Sequence, residues 1–208
     1  MTPSPVRGAD DSARDHRHES DRPDVTVTIV TYNCTDDAIK CIDTLQGSAV
    51  RRRIEVVVVD NASSDDVAAA IGTRHPEVSV VERRRNAGFG RSHNLAAAHA
   101  TGRYLLVLNP DTVVESGAID EMVDFCDARA AEGRPVGVVA PMLLNPDGTD
   151  QLTARSFPTA SAGLFGRRSS LTRWFPNNPW SRKFLRADQV DRTMPWTVDW
   201  VSGAAMMV

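Results

Sequence analysis

The chain has 208 residues, 41% hydrophobic and 25% charged, with a formal net charge of -3. That is enough for one well-buried domain and hardly for two, and it gives no reason to expect nucleic acid as the main partner. Its three cysteines, Cys34, Cys41 and Cys126, form no C-x-x-C pair, which argues against a zinc site or disulfide frame and fits a reducing cytosol. No window approaches the roughly 18 to 20 apolar residues of a membrane-spanning helix.

Residues 1–24 are dominated by Asp, Arg, His, Ser, Pro and Glu. They lack the apolar core of a secretory signal, so a disordered tail is expected there. Order should begin at Val25, where the β-branched run to Val30 reads as a buried strand ending in Thr31-Tyr32-Asn33. A helix follows, with Thr35 as N-cap, Asp36 and Asp37 at its positive end, and Ile39, Ile42 and Leu45 on an apolar stripe.

The next strand, Ile54 to Val59, ends in Asp60 and leads through Asn61-Ala62-Ser63-Ser64 into a short helix with Asp65 and Asp66 in its first turn. A third strand is expected from Val78 to Val81, then an Ala-rich helix from about Ser92 to Ala100. The apolar run from Tyr104 to Leu108 is too short for a helix with its own packing face and stops at Asn109-Pro110-Asp111. It reads as a buried strand with a carboxylate at its C-terminal end. Ile119, Met122, Val123 and Cys126 mark a further helix, and Val136 to Ala140 a further strand.

Asn-Pro-Asp is also ordinary turn chemistry. The second copy, Asn145-Pro146-Asp147-Gly148, joins two short segments and ends in Gly, as a hairpin turn does. The first copy differs in its company. Strands alternating with helices predict an α/β fold, a mostly parallel sheet with helices on both faces. Asp60 and Asp111 then leave one edge of that sheet, where ligands of open α/β folds bind.

The turn after the first strand, Thr-Tyr-Asn-Cys-Thr-Asp, has no G-x-G-x-x-G, and no Walker A loop is present, so neither glycine-rich way of holding phosphates applies. A carboxylate-bound hard cation is another way. A carboxylate accepts hydrogen bonds only, so Asp60 suits the N3–H of uracil or thymine rather than the bare N3 of cytosine.

Four motifs now stand in order: Thr31-Tyr32-Asn33, Asp60-Asn61-Ala-Ser63, Asn86-Ala-Gly88-Phe89-Gly90-Arg91-x-x-Asn94, and Asn109-Pro110-Asp111-Thr112. Together they resemble the large inverting nucleotide-sugar glycosyltransferase family with the GT-A fold (family 2). More narrowly, they resemble its rhamnosyltransferase-like branch, where Asn-Pro-Asp replaces D-x-D.

The resemblance implies a GT-A domain over residues 25–208 with a small antiparallel C-terminal part. It implies that Thr31 and Tyr32, with Asn33, line the base and ribose of a UDP- or dTDP-sugar, that Asp60 reads the base and Ser63 closes that side, and that Asn61, Asn86, Gly88, Phe89 and Asn94 complete the donor site. Asp111, with Asn109 beside it, would hold Mg2+ or Mn2+ against the diphosphate and so serve catalysis. One acid fewer than D-x-D means a weaker metal site. The loop Arg83 to Gly90 precedes a helix whose free N–H groups suit an anion. His93 and His99, six apart, share no helical face and receive no role.

Residues 157–190 form a basic, aromatic segment expected to be flexible and to lie on the acceptor side. Within it, 164–186 interleaves Trp and Phe with Arg and Lys and suits an anionic membrane surface or a polyprenyl-diphosphate-linked acceptor, although its poor helical periodicity favours a loop that packs its aromatics on the domain and solvates its charges. A saccharide acceptor and a cytoplasmic location, peripheral at the inner face of the membrane, follow from the same resemblance. Trp196 to Val208 reads as one apolar strand whose edge would stay unpaired. In the resembled family the general base lies after that strand, so the chain is expected to be incomplete and to turn over poorly, with Asp199 the nearby carboxylate to test. A non-catalytic nucleotide-sugar binder and a sugar-phosphate nucleotidyltransferase remain as alternatives; the latter should carry a Gly-rich loop after its first strand.

Overall fold

A computed structural model describes residues 22–47, 51–155, 157 and 194–208; the basic segment 164–186 and residues 1–21 of the expected tail lie outside these. In chain order the elements are β1 (Val25–Thr31), α1 (Thr35–Gly47), β2 (Ile54–Asp60), α2 (Val67–Arg74), β3 (Ser79–Glu82), α3 (Phe89–His99), β4 (Tyr104–Leu108), α4 (Ala118–Ala131), β5 (Ala154–Arg155), β6 (Trp200–Val201) and β7 (Ala205–Met207).

The main sheet has five strands in the order β3-β2-β1-β4-β7. β3, β2, β1 and β4 run parallel, and β7 joins β4 antiparallel. Side chains alternate across the pleat, so β1 sends Val25, Val27 and Ile29 to one face, where Ala38, Cys41 and Ile42 of α1, Ile71 of α2 and Ile119 and Val123 of α4 complete the main core. The other face carries Val57, Val59 and Ala96 of α3 in a smaller cluster. Helices therefore cover both faces, as the strand–helix alternation predicts, and the order reverses between β1 and β4.

Arginine ion pairs gather at the amino edge of the sheet. Arg51 contacts Asp120 and Asp124, and Arg103 contacts Asp127, which also accepts the Tyr104 hydroxyl. These bonds tie α4 to the starts of β2 and β4 and leave the carboxyl edge to other uses.

Several local expectations change. Arg22 to Asp24 are not tail: Arg22 Nε donates to Thr101 O at 2.7 Å, and Arg103 N and Tyr104 N donate to Pro23 O and Asp24 O. Thr35 is not the N-cap of α1 but a helical residue whose N–H and hydroxyl both donate to Asp65 Oδ2, at 3.2 and 2.6 Å. Asp65 thus caps α1 from another loop, and α2 begins only at Val67. α3 starts at Phe89, three residues earlier than expected, after Gly88 at φ 82.

Val136 to Ala140 is no strand; only Val139 bridges Met207, with mutual bonds of 2.9 and 2.8 Å. The Trp196–Val208 run is two strands, because Ser202 and Gly203 turn it from a small antiparallel pair, β6 with β5, into the main sheet. The edge expected to stay unpaired is covered, since β7 sits between β4 and Val139. The Asn145 turn forms as read, with Gly148 N donating to Asn145 O at 2.8 Å and Gly148 at φ 79.

Candidate active site

The carboxyl ends of β1, β2 and β4 supply the predicted residues. Thr31 pairs in register with Asp60, so the two side chains leave the sheet side by side on the α1 face. The Thr31 hydroxyl is fully buried and has no hydrogen-bond partner among the described residues. Such a group costs about 1–3 kcal/mol unless something fills it. Asp60 is 7% exposed. Its Oδ1 accepts Ser63 N at 3.0 Å, and among the described residues the carboxylate has no ion pair.

The loops after β1 and β2 are laced together. Asn33 N donates to Ser63 Oγ at 3.0 Å, while Asn33 Oδ1 accepts Ser64 N at 2.7 Å and Ser64 Oγ at 3.0 Å. Asn33 and Ala62 both take positive φ, 54° and 68°. For Ala62 that conformation is strained by roughly 1–2 kcal/mol, which the surrounding bonds must offset. Tyr32 projects from the same loop, half exposed.

Asn61 points to the opposite face and is consumed by internal bonds. Its Oδ1 accepts Ala87 N and Ser92 Oγ, both at 3.0 Å, and its Nδ2 donates to Asn86 Oδ1 at 2.8 Å. Asn86 Oδ1 also accepts Gly88 N at 2.9 Å. These two predicted ligands therefore act on the loop that delivers the N-terminus of α3. Gly88 is that helix's N-cap, Phe89 is its first residue, and Asn94 lies exposed one turn on.

At β4, Asn109 is fixed through its backbone. Its N–H donates to Ala204 O at 2.8 Å, and its carbonyl accepts Thr112 N at 3.3 Å and the Cys41 thiol at 3.7 Å. Asp111 is exposed and unpaired among the described residues. Burial pushes the Cys41 thiol up to about 12, and the negative charge of Asp111 adds to that shift. The same charge, after burial and alongside Asp37 and Asp65, raises the Cys34 thiol, so Asp111 stands beside the start of α1. Asp60 ends β2 and Asp111 follows β4, the two strands that flank β1, so both leave the carboxyl edge of the sheet.

Arg83, Arg84 and Arg85 precede the α3 N-terminus in the chain, and Arg91 lies in its first turn. Among the described residues no cluster of three or more His, Cys, Asp or Glu could by itself hold a metal. One free carboxylate plus a neighbouring amide does suit a hard divalent cation that takes its remaining oxygens from phosphates and water. Asp199 lies just before β6, where its Oδ2 accepts Phe157 N at 2.9 Å. A cavity of about 370 Å³ lined by Arg52, Glu55 and Glu77 opens at the amino end of β2 and contains none of the predicted residues.

His93, given no role from sequence, is 6% exposed. Its Nδ1 lies 3.1 Å from Thr28 Oγ1, and its ring meets Phe89 at 4.3 Å. No local pattern marks it, because its partner Thr28 is 65 residues away.

A parallel sheet in this order, closed by an antiparallel β7 and with acids at its carboxyl edge, defines an α/β domain of the GT-A class. Residues 26–186 match the profile of Glycosyl transferase family 2, and the chain belongs to that family. It is 27% identical over 171 residues to the N-acetylglucosaminyl-diphospho-decaprenol L-rhamnosyltransferase of Mycobacterium tuberculosis, covering 77% of this chain and 53% of that protein. It is 33% identical over 114 residues to the succinoglycan biosynthesis protein ExoO of Rhizobium meliloti, covering 53% and 32%. The chain thus spans about half or less of these relatives. Crystal structures of S. aureus TarS 1-349 share the fold, with a TM-score of 0.53 and 22% identity for the complex with UDP, over 62% of this chain and 38% of that one. No helix among the described residues is long and apolar enough to cross a membrane.

Proposed function

We propose that the chain binds a UDP- or dTDP-sugar across the carboxyl edge of its sheet and transfers the sugar, with inversion, to a saccharide or polyprenyl-diphosphate-linked acceptor in cell-wall or surface polysaccharide synthesis. The observation that carries the reading is the Thr31–Asp60 pair, a buried hydroxyl without a partner beside a carboxylate anchored through one oxygen only. Asp60 accepts the N3–H of uracil or thymine, and Tyr32, Asn33 and Ser63 enclose the base and ribose.

The diphosphate lies between Asp111 and the α3 N-terminus, whose free N–H groups and neighbouring arginines favour an anion. Asp111 and Asn109 would hold Mg2+ or Mn2+. Held there, it would supply positive charge for the negative charge that develops on the departing nucleoside diphosphate. Asp199 is the carboxylate assigned to accept the proton of the attacking hydroxyl. The mycobacterial relative, by its name a rhamnosyltransferase acting on a decaprenol diphosphate derivative, supports a deoxyhexose donor and a polyprenyl acceptor.

Calorimetric titration with UDP, dTDP, CDP and NAD, with and without Mn2+, tests this. UDP or dTDP should bind in preference to CDP and NAD, and Mn2+ should strengthen binding. Asp111→Ala should remove the Mn2+ gain while keeping the choice of base. Binding of NAD alone rejects the reading.

A further inference from the structure

Phe89 is the first residue of α3, and the residue is 46% exposed. It is nevertheless held on two sides. Its Cε1 and Cζ lie 3.7 and 3.9 Å from where a Cβ on Gly203 would sit, so the ring reaches over the turn into β7. The next residue of that turn, Ala204, accepts the Asn109 amide at 2.8 Å. An apolar surface therefore stands beside the loop that carries Asn109 and Asp111.

On its other side the ring meets His93 at 4.3 Å between centroids, with the planes 63° apart. His93 is fixed in turn. Thr28 Oγ1 has one hydrogen and donates it to Leu106 O at 3.3 Å, so it accepts from His93 Nδ1–H at 3.1 Å. That assignment puts a hydrogen on Nδ1, while Nε2 is buried with no hydrogen-bond partner among the described residues, which suits a neutral ring clamped between α3 and β1. Burial agrees, holding the ring's pKa down to about 4.

Resting on the proposed donor site, we infer that Phe89 is a sugar-contacting platform and His93 its positioning residue, so that the pyranose ring of the donor packs against the exposed part of the Phe89 side chain. The chemistry fits, because the C–H face of a pyranose, and still more the methyl of a 6-deoxyhexose, is apolar and polarizable. An aromatic ring held at a fixed angle contacts such a surface with little loss of side-chain freedom. The nucleoside diphosphate itself needs no contact with Phe89.

The test compares each nucleoside diphosphate with its sugar conjugate, dTDP with dTDP-rhamnose and UDP with UDP-glucose, by calorimetry on the full chain and its variants. Phe89→Ala should lower affinity for the preferred conjugate about 3- to 10-fold relative to the bare diphosphate, whose affinity stays within about twofold. Phe89→Trp should restore the difference. His93→Asn, which keeps a donor for Thr28 but removes the ring behind Phe89, should lose part of it. An unchanged conjugate-to-diphosphate ratio in Phe89→Ala overturns the platform while leaving the donor site standing. Loss of both affinities together also overturns it, since the ring would then hold the loop rather than the sugar. Failure of the unaltered chain to bind either diphosphate rejects the donor site and the platform with it.

Discussion

Replacing Asn61 with alanine should destabilise the domain by about 2–3 kcal/mol and loosen the loop that starts α3. Asn61 is 3% exposed and makes three side-chain bonds, to Ala87 N, Ser92 Oγ and Asn86 Oδ1. At about 1 kcal/mol each, their loss sets the base figure, and every donor left dry adds to it. Two repairs limit the total. Ser92 can turn its hydroxyl to the Gly88 carbonyl four residues back, which already accepts Ser92 N at 3.3 Å, and Ala87 is only half-buried, so water reaches its amide. Urea denaturation reads the change as a lower midpoint at unchanged slope, and hydrogen exchange of the Ala87 and Gly88 amides should speed up first. Asn61→Asp would keep both acceptor bonds and set a buried charge against Asn86 Oδ1, so it should also destabilise, with slower Ala87 exchange than in Asn61→Ala. An unchanged midpoint with unchanged Ala87 exchange in Asn61→Ala would refute the role given to this side chain.

Gly102→Ala would place a Cβ 2.4 Å from Thr26 N and 2.7 Å from Val25 C; since β1 backbone cannot yield cheaply, a loss of about 2 kcal/mol is expected in urea melts, and a neutral result would show that β4 can shift. Asp60→Asn presents an amide donor where a carboxylate stood, so calorimetry should show weaker UDP binding, by roughly tenfold, and a relative gain for CDP; unchanged base preference removes Asp60 from the base site. His93 titrates near 4 in the fold against 6.5 when unfolded, so the unfolded chain takes up the proton first. Its contribution is complete above pH 6.5 and falls by ~1.4 kcal/mol per pH unit, about 3 kcal/mol by pH 4; His93→Asn should flatten that window, and equal slopes in both proteins would contradict the burial.

The parallel strands were legible because each is a short β-branched or Leu-rich run that ends in turn or acidic residues, a local signal. The placing of Asp60 and Asp111 on one rim followed from topology, since strands joined by helices must all point the same way. What stayed hidden is non-local. Asp65 caps α1 from 30 positions away, which no reading of its own helix could show, and Val136–Ala140 has strand composition but meets a partner only at Val139. β7 could not be separated from β6 by periodicity, because the division at Ser202-Gly203 is set by which sheet each half joins. Arg22 looked like tail in a charged run, but its guanidinium donates to the carbonyls of Thr101 and Gly102 and its own carbonyl accepts from Arg53, which make it part of the domain.

The two ends of the rim are built differently, and that difference bears on how selection and chemistry are divided. At the β1–β2 end, the strained Ala62 and the bonds among Asn33, Ser63, Ser64, Thr35 and Asp65 fix the surroundings of Asp60 before any ligand arrives. At the β4 end only the backbone of Asn109 is tied down, and the Asp111 side chain stands free among the described residues. A preorganised acceptor discriminates at little cost in ordering, whereas a free carboxylate must be ordered by what it binds. Choice of base should therefore survive without a cation, while affinity for the diphosphate should not. A single carboxylate at that end also makes the donor's own phosphates the larger share of any cation's oxygen shell, so cation and diphosphate should bind with mutual reinforcement rather than independently.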